Sequence, residues 1–168
     1  MKKVGIMLDD GFHDLELWIP YYRFLEEHIN FEILAWEQRE YKGMFGVDPV
    51  KPTRLLSSNL DDIGVIYMPG AKSPANLMKN EKTIPLVREL YENGVEMATI
   101  CHSPLVLAKS GLIKGRRITG HPSIAKEISE FGVKLAPDPF IFDGQVLSGK
   151  THYQMDEFLP QLLNIIRT

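Results

Sequence analysis

The chain has 168 residues, a formal net charge of −3 and a hydrophobic share of 44%. This length suits one compact domain over residues 1–168 with a substantial core. Acidic and basic residues are interspersed, so no basic stripe is available to neutralise a phosphate backbone, and we expect no nucleic-acid partner. Asp9 and Asp10 interrupt the apolar N-terminal run, which argues against a signal peptide or membrane span, so a cytoplasmic protein is expected.

Apolar runs alternate with segments of helical periodicity along the first half of the chain. The run "KVGIML" predicts a strand, and the apolar spacing from Leu15 to Leu25 predicts a helix after it. The runs "INFEILAW" and "GVIYMPG" predict two further strands, separated by an irregular, partly hairpin-like stretch.

The second half continues this alternation. The pattern from Ile84 to Tyr91 predicts a helix, "GVEMATIC" a strand, and "SPLVLAKSG" a helix with proline in its first turn. The segment "RRITGHP" predicts a short strand followed by another helix. "FIFDGQVL" predicts a hairpin that turns on Asp143 and Gly144, and a final helix follows it. Together the elements predict an α/β sandwich around a largely parallel sheet, with an antiparallel hairpin at its margin.

Three unusual stretches, "LDDGFHDLE", "MPGAKSP" and "ICHSP", follow predicted strands, where open α/β sheets bind their ligands. Cys101, the only cysteine, lies at a tight strand-to-helix turn, a position that suits a nucleophile. Backbone N–H groups at the start of a helix favour a thiolate and can receive an oxyanion, so we expect the pKa of Cys101 below its ordinary value. The alternative for a lone cysteine is a small buried hydrophobic residue.

Three segments, "GFHDLELWIPYYR", "MPGAKSPANL" and "ATICHSPLVLAKSGLIKGR", resemble the ThiJ/PfpI family of the class I glutamine-amidotransferase-like superfamily. The resemblance covers almost the whole chain. It implies a flavodoxin-like three-layer sandwich with a nucleophile elbow, and a homodimer or higher homo-oligomer. It also implies that Cys101 is reactive and that no metal or organic cofactor is needed.

The same resemblance implies two catalytic partners for Cys101. Glu16 matches the glutamate that the family places against the cysteine, and His102 matches the histidine of the protease-like branch. From the residues alone, Glu16 has the alternative role of complementing the helix dipole, and His102 that of capping a helix or being exposed at a turn. Ala75 stands where the protease-like branch has an orienting acid, so peptidase activity is not expected.

Four further residues are assigned to substrate binding. Gly70 and Ala71 form the turn after a strand, and the N–H of Ala71 is expected to complete an oxyanion hole with that of His102. His121 matches a pocket histidine of the deglycase-like branch. His13 lies where the protease-like branch often has an acidic residue, which suggests a contact with substrate.

The same N-terminal loop contains oxygen and imidazole ligands that a metal could use. His13 is close in sequence to Asp9, Asp10 and Asp14. A solvated turn and a helix N-cap need the same residues, and we interpret the group in that way rather than as a metal site.

Two classes of function follow. The first is a cofactor-independent enzyme in which the Cys101 thiolate attacks a small carbonyl electrophile, as a glyoxalase, a deglycase or a small amidase. The second is a non-enzymatic stress protein, redox-sensing or chaperone-like, whose Cys101 is oxidised reversibly. Product formation distinguishes them.

Overall fold

The computed structural model describes residues 1–168, and its centre is a seven-stranded sheet. The strands are β1 (Lys3–Met7), β2 (Phe31–Ala35), β3 (Arg54–Leu55), β4 (Ile63–Met68), β5 (Glu96–Ile100), β6 (Phe140–Asp143) and β7 (Val146–Gly149). The helices are α1 (Asp14–Glu26), α2 (Ser73–Met78), α3 (Thr83–Glu92), α4 (Pro104–Lys109), α5 (Ala125–Ser129) and α6 (Met155–Arg167). Not one of these helices combines the length and the apolar character needed to cross a membrane.

The strand order is β3-β2-β1-β4-β5-β7-β6, and only the β6–β7 pair is antiparallel. The five central strands, renumbered along the chain, follow the order 2-1-3-4-5, which is the flavodoxin-like doubly wound topology. The predicted parallel sheet with an antiparallel hairpin at its margin is therefore confirmed.

Side chains of the parallel strands alternate between two apolar cores, one on each face of the sheet. In β1, Val4 and Ile6 face a core that also contains Leu17 of α1 and Phe158 of α6. Met7 faces the opposite core, which contains apolar residues of α2, α3, α4 and α5. Both faces are covered by helices, so the fold is a three-layer sandwich.

Two segments differ from the predicted elements. The segment "MPGAKSP" continues into the short helix α2, which apolar periodicity did not predict. The strand predicted in "RRITGHP" is reduced to a single parallel bridge between Ile118 and Leu135. There the backbone is held by side chains instead: the N–H of Thr119 donates to Ser148 Oγ, and the Thr119 hydroxyl contacts the carbonyl of Asp138.

The sheet order brings the carboxyl ends of β1, β4 and β5 side by side. The loops after β1 and β4 are also joined directly, because the N–H of Lys72 donates to the carbonyl of Gly11 at 2.9 Å. Gly11 has a φ of +76°, and an added Cβ would approach Lys72 Cβ to 2.7 Å. A residue without a side chain is required for this approach.

Candidate functional site

Cys101 lies at the turn between β5 and α4, with a φ of +62° in the left-handed region. This conformation is unfavourable for a residue with a Cβ by about 1–2 kcal/mol. The surrounding chain holds it: the N–H of Cys101 donates to the carbonyl of Gly149, and its carbonyl accepts from the N–H of His121. The predicted nucleophile elbow is thus present, with the thiol 3% exposed.

Ser103 holds the same turn from inside and was not assigned a role from the sequence. Its hydroxyl accepts from the N–H of Ile100 at 2.8 Å and donates to the carbonyl of Met68 at 2.7 Å. Because Met68 ends β4, one fully buried side chain connects the ends of two neighbouring strands. The signal available in the sequence is a serine between a predicted strand end and the proline that starts the next helix, where its hydroxyl can bond to nearby backbone groups.

Glu16, in the first turn of α1, is completely buried at the junction of these loops. Its Oε2 accepts the N–H of Gly70 at 2.6 Å, and its backbone carbonyl accepts the Tyr67 hydroxyl at 2.7 Å. Burial raises the pKa of this carboxyl to about 7. A carboxyl with this pKa can take up or release a proton near neutral pH, and its complete burial differs from the alternative of a solvated helix-dipole partner.

Gly70 differs from its expected role in substrate binding. Its N–H is used by Glu16, and a Cβ there would lie 2.6 Å from Cys101 Cβ and 2.9 Å from Glu16 Oε2. Gly70 accordingly positions Glu16 against Cys101. Ala71, which follows it with a φ of +56°, directs its backbone N–H at the Cys101 sulfur, as does His102.

Glu16 and Cys101 lie against each other, and the contact acts to lower the pKa of Glu16 and to raise that of Cys101. Burial and the adjacent negative charge of Glu16 raise the pKa of Cys101 to about 12, and the N–H groups of Ala71 and His102 act in the opposite direction. The expectation of a lowered thiol pKa was therefore wrong for the state with an ionised Glu16. The start of α4 can be predicted from the sequence, but the burial that raises the pKa of the thiol results only from the packing of the loops.

His102 extends from Cys101 into a chain of polar groups. Its Nδ1 is 3.1 Å from Cys101 Sγ, and its Nε2 is 3.1 Å from Ser123 Oγ. Ser123 Oγ is in turn 2.7 Å from Nδ1 of His121, whose ring stacks on that of His102 at 4.8 Å between centroids. Burial and the neighbouring His121 lower the pKa of His102, which favours the neutral imidazole that accepts a proton.

Ser123 thus contacts His102 where an orienting group is needed, a role for which the sequence indicated no residue. Ala75, at the expected position of the acid, is an exposed residue of α2. Ser123 was not predicted because it is 21 residues from His102 in the sequence, and only the fold brings the two side chains together. The turn at "HPS", in which the N–H of Ser123 donates to Nδ1 of His121, is a weak local signal for it.

His13 lies beside Glu16 rather than beside Cys101. It is the residue before α1, its ring packs 4.1 Å from that of His152, and Phe45 covers it. Burial, followed by the nearby His152, lowers the pKa of His13.

The acidic residues near His13 are occupied by backbone groups. Asp9 accepts the N–H of Asp10, and Asp10 accepts that of Lys42. Asp14 accepts the N–H groups of Phe45 and Val47. These carboxylates hold the loop through its backbone N–H groups, as the turn interpretation predicts, whereas the N-cap residue of α1 is His13 and its side chain makes no cap hydrogen bond.

Comparison with known proteins places this chain in a family. A model of the DJ-1/PfpI family matches residues 2–165. The deglycase PfpI of Pyrococcus furiosus is 29% identical over 164 residues, covering 95% of this chain and 99% of that protein. A deglycase of Pyrococcus horikoshii is 25% identical over 165 residues, covering 98% and 99%.

Solved structures agree with this assignment. A variant of a DJ-1 superfamily protein from Salmonella typhimurium has a TM-score of 0.85 at 27% identity, with 99% of this chain and 95% of that chain covered. A two-domain protein of Anabaena variabilis, with DJ-1/ThiJ/PfpI-like and ferritin-like domains, reaches a TM-score of 0.92 at 23% identity; 98% of this chain and 48% of that chain are covered. The family resemblance and the flavodoxin-like fold are both confirmed, and the chain belongs to the DJ-1/PfpI family.

Proposed function

We propose that the protein is a cysteine-dependent enzyme that converts small 2-oxoaldehydes, such as methylglyoxal, to 2-hydroxy acids without an added cofactor. The observation that carries this proposal is the surrounding of Cys101: two backbone N–H groups directed at the sulfur, the buried carboxyl of Glu16 against it, and the imidazole of His102 at 3.1 Å. The names of the deglycase relatives support a reaction of this carbonyl class.

The first step forms a covalent adduct. The thiol proton passes to the Glu16 carboxylate, and the thiolate bonds to the aldehyde carbon while the carbonyl electron pair moves to oxygen. The backbone N–H groups of Ala71 and His102, which are already directed at the sulfur, stabilise this oxyanion. Glu16 then returns its proton to the oxygen, which leaves a neutral hemithioacetal.

The second step is an internal proton transfer. Neutral His102 removes the hydrogen on the former aldehyde carbon as a proton, which leaves an enediolate, and returns it to the neighbouring carbon, while the hydroxyl proton moves from the former aldehyde oxygen to the ketone oxygen. The product is a thioester of the 2-hydroxy acid on Cys101. Water hydrolyses that thioester, releasing the acid and restoring the thiol, so one dicarbonyl and one water give one hydroxy acid.

Size limits the substrate. Cys101 is only 3% exposed. A peptide needs an extended groove beside its nucleophile, whereas a three-carbon dicarbonyl does not. The geometry therefore favours a small electrophile over a peptide.

The test is product identification. Purified protein is incubated with methylglyoxal, and lactate is quantified by chromatography and mass spectrometry, with Cys101→Ser as the matched blank. We expect lactate formation in the wild type and a fall on the order of 10³-fold or more in the variant. Equal lactate formation by both proteins contradicts the covalent mechanism.

Reversible oxidation is the second candidate, and the single thiol favours testing it. The chain has one cysteine, so a sulfenic acid formed by peroxide cannot close to a disulfide within the chain. If methylglyoxal is not consumed but one equivalent of peroxide yields a sulfenic acid that thiols reduce, the redox-sensing alternative replaces the enzyme.

We also propose that the protein is a homodimer through α1. Three large apolar side chains of this helix are exposed, Leu15 at 47%, Tyr22 at 63% and Leu25 at 49%. An amphipathic helix of a compact domain normally places such residues in a core, so a second copy of the chain is the occupant we assign.

Sedimentation of Tyr22→Glu tests this proposal. The variant is expected to shift toward monomer, whereas Phe142→Glu, which changes an aromatic residue of β6 that is 48% exposed, is the matched control and is expected not to shift. A wild-type monomer, or no response to Tyr22→Glu, contradicts the assigned face.

A further inference from the structure

A second group of chemically active side chains adjoins the thiol site. His13 precedes α1, Glu16 follows it by one turn on the same face, and His152 begins the short 3-10 turn after β7. One ligand atom from each of the three residues lies within 4.8 Å of the other two. Cys101 is not a member of this group.

Two atoms of this group are buried without a hydrogen-bond partner. Nδ1 of His13 and Oε1 of Glu16 have none, and the two residues are 7% and 0% exposed. Buried polar atoms in native proteins are nearly always satisfied, so an orphaned pair facing the same corner indicates an absent ligand. The N–H of Gly70 does not satisfy Oε1, because it donates to the other Glu16 oxygen, Oε2.

We propose that His13, Glu16 and His152 form a binding site for a divalent transition-metal ion of the zinc class. Two imidazoles and one carboxylate are a donor set that zinc accepts, with the fourth position left to water or another small ligand. Hard cations such as Mg²⁺ prefer all-oxygen sites and are not expected here. This site departs from the metal-free expectation of the sequence analysis.

The geometry requires a modest contraction on binding. Donors at about 2.1 Å from a tetrahedral ion are about 3.4 Å apart, which is less than the separation of up to 4.8 Å in this structure. His152 can supply the movement, because it is only half-buried and belongs to a short turn. His13 and Glu16 are held by α1 and form the rigid part of the site.

Neighbouring carboxylates do not compete for this role. Asp9, Asp10 and Asp14 accept backbone N–H groups of the surrounding loop. Phe45 lies edge-on to the His13 ring at 5.0 Å and provides an apolar cover. Such a cover restricts solvent access to a metal site.

Metal binding itself is independent of the proposed function, but one residue is shared. An ion bound to Glu16 occupies the carboxylate that receives the proton of Cys101 in the proposed reaction. Loading the site with zinc should therefore slow the chemistry of Cys101. The site would act as an inhibitory metal switch.

The test uses the full-length chain without an affinity tag, stripped of metal, and titrated with Zn²⁺ by calorimetry and with Co²⁺ by visible absorption. We expect one equivalent of each ion to bind and Mg²⁺ to give no signal. His152→Gln should weaken binding of Zn²⁺ by at least about 10-fold, and His152→Asp, which restores a ligand, should recover part of it. Glu16→Gln should weaken it as well.

His28→Asn is the matched control, because it replaces a histidine that lies about 20 Å from the site, just beyond the other end of α1. It should bind Zn²⁺ as the wild type does. Equal affinity in the wild type, His152→Gln and Glu16→Gln would place the ion elsewhere and overturn the proposal, as would the absence of Zn²⁺ binding. Cys101→Ser separates the two proposals, because it should lose lactate formation and keep the zinc site.

Discussion

Two neighbouring groups at one edge of the sheet differ in how completely their polar atoms are satisfied. In the first, Cys101, His102, Ser123 and His121 form a continuous chain with donor–acceptor separations of 2.7–3.1 Å. In the second, buried atoms of His13 and Glu16 face a common corner without partners. The first group is organised before any ligand arrives, as proton transfer requires, whereas the second is complete only with a ligand bound.

Glu16 belongs to the second group and lies against Cys101 of the first, so its replacement should have the largest effect. Glu16→Gln retains the shape and an acceptor for the N–H of Gly70 but cannot take the thiol proton. We expect lactate formation to fall by at least about 100-fold, since general acid–base groups contribute about 10²–10⁴-fold. Turnover of methylglyoxal measures it, and the same variant should lose zinc affinity. If the variant loses only turnover or only zinc affinity, Glu16 acts in one of these two processes alone.

Gly70→Ala should distort the contact between the two groups. The new Cβ would lie 2.6 Å from Cys101 Cβ, so we expect an unfolding free energy lower by about 1–3 kcal/mol, together with reduced turnover. Urea unfolding measures the stability. Gly115→Ala, at a φ of +77° but with nothing within 4 Å, is the comparison and should leave turnover unchanged. Full activity in Gly70→Ala would contradict the positioning role of Gly70.

Ser123→Ala should affect only the Cys101 group. His102 would lose its contact at Nε2. We expect turnover to fall by about 10-fold, which is less than the full rate contribution of a general base, because the imidazole itself remains. Ser123→Thr, which keeps a hydroxyl, should recover most of it. Zinc titration supplies the contrast, because neither variant should change the affinity for the ion. A turnover loss that Thr fails to restore would argue for a structural role instead.

Ala75→Glu should have the smallest effect. It restores the acid of the protease-like pattern at an exposed position of α2. We expect the rate of hydrolysis of small chromogenic amides to rise by a few-fold, which is about the contribution of one added hydrogen bond to the imidazole of His102. Unchanged hydrolysis in a folded protein of unchanged oligomeric state would show that Ser123 alone orients His102. Sedimentation verifies the assembly before the rates are compared.

Local patterns were sufficient for most of the fold. Apolar runs and helical periodicity predicted the long elements and the hairpin at Asp143 and Gly144, because both signals arise within a few neighbouring residues. They did not reveal α2, whose six residues are too few for a clear period, or the reduction of "RRITGHP" to one bridge. That segment is held by Ser148, which is remote in sequence.

The sequence by itself determined the elbow and, through the family motifs, the pairing of Cys101 with Glu16, since strand, turn and helix signals surround both positions. Tertiary structure decided the rest of the chemistry. Burial raised the pKa of the thiol against the expectation from the helix start, and the fold joined Ser123 to His102 and His152 to His13. Proton affinity and ligand geometry depend on charges and donors gathered from distant parts of the chain, and only the packing of the loops brings these groups together.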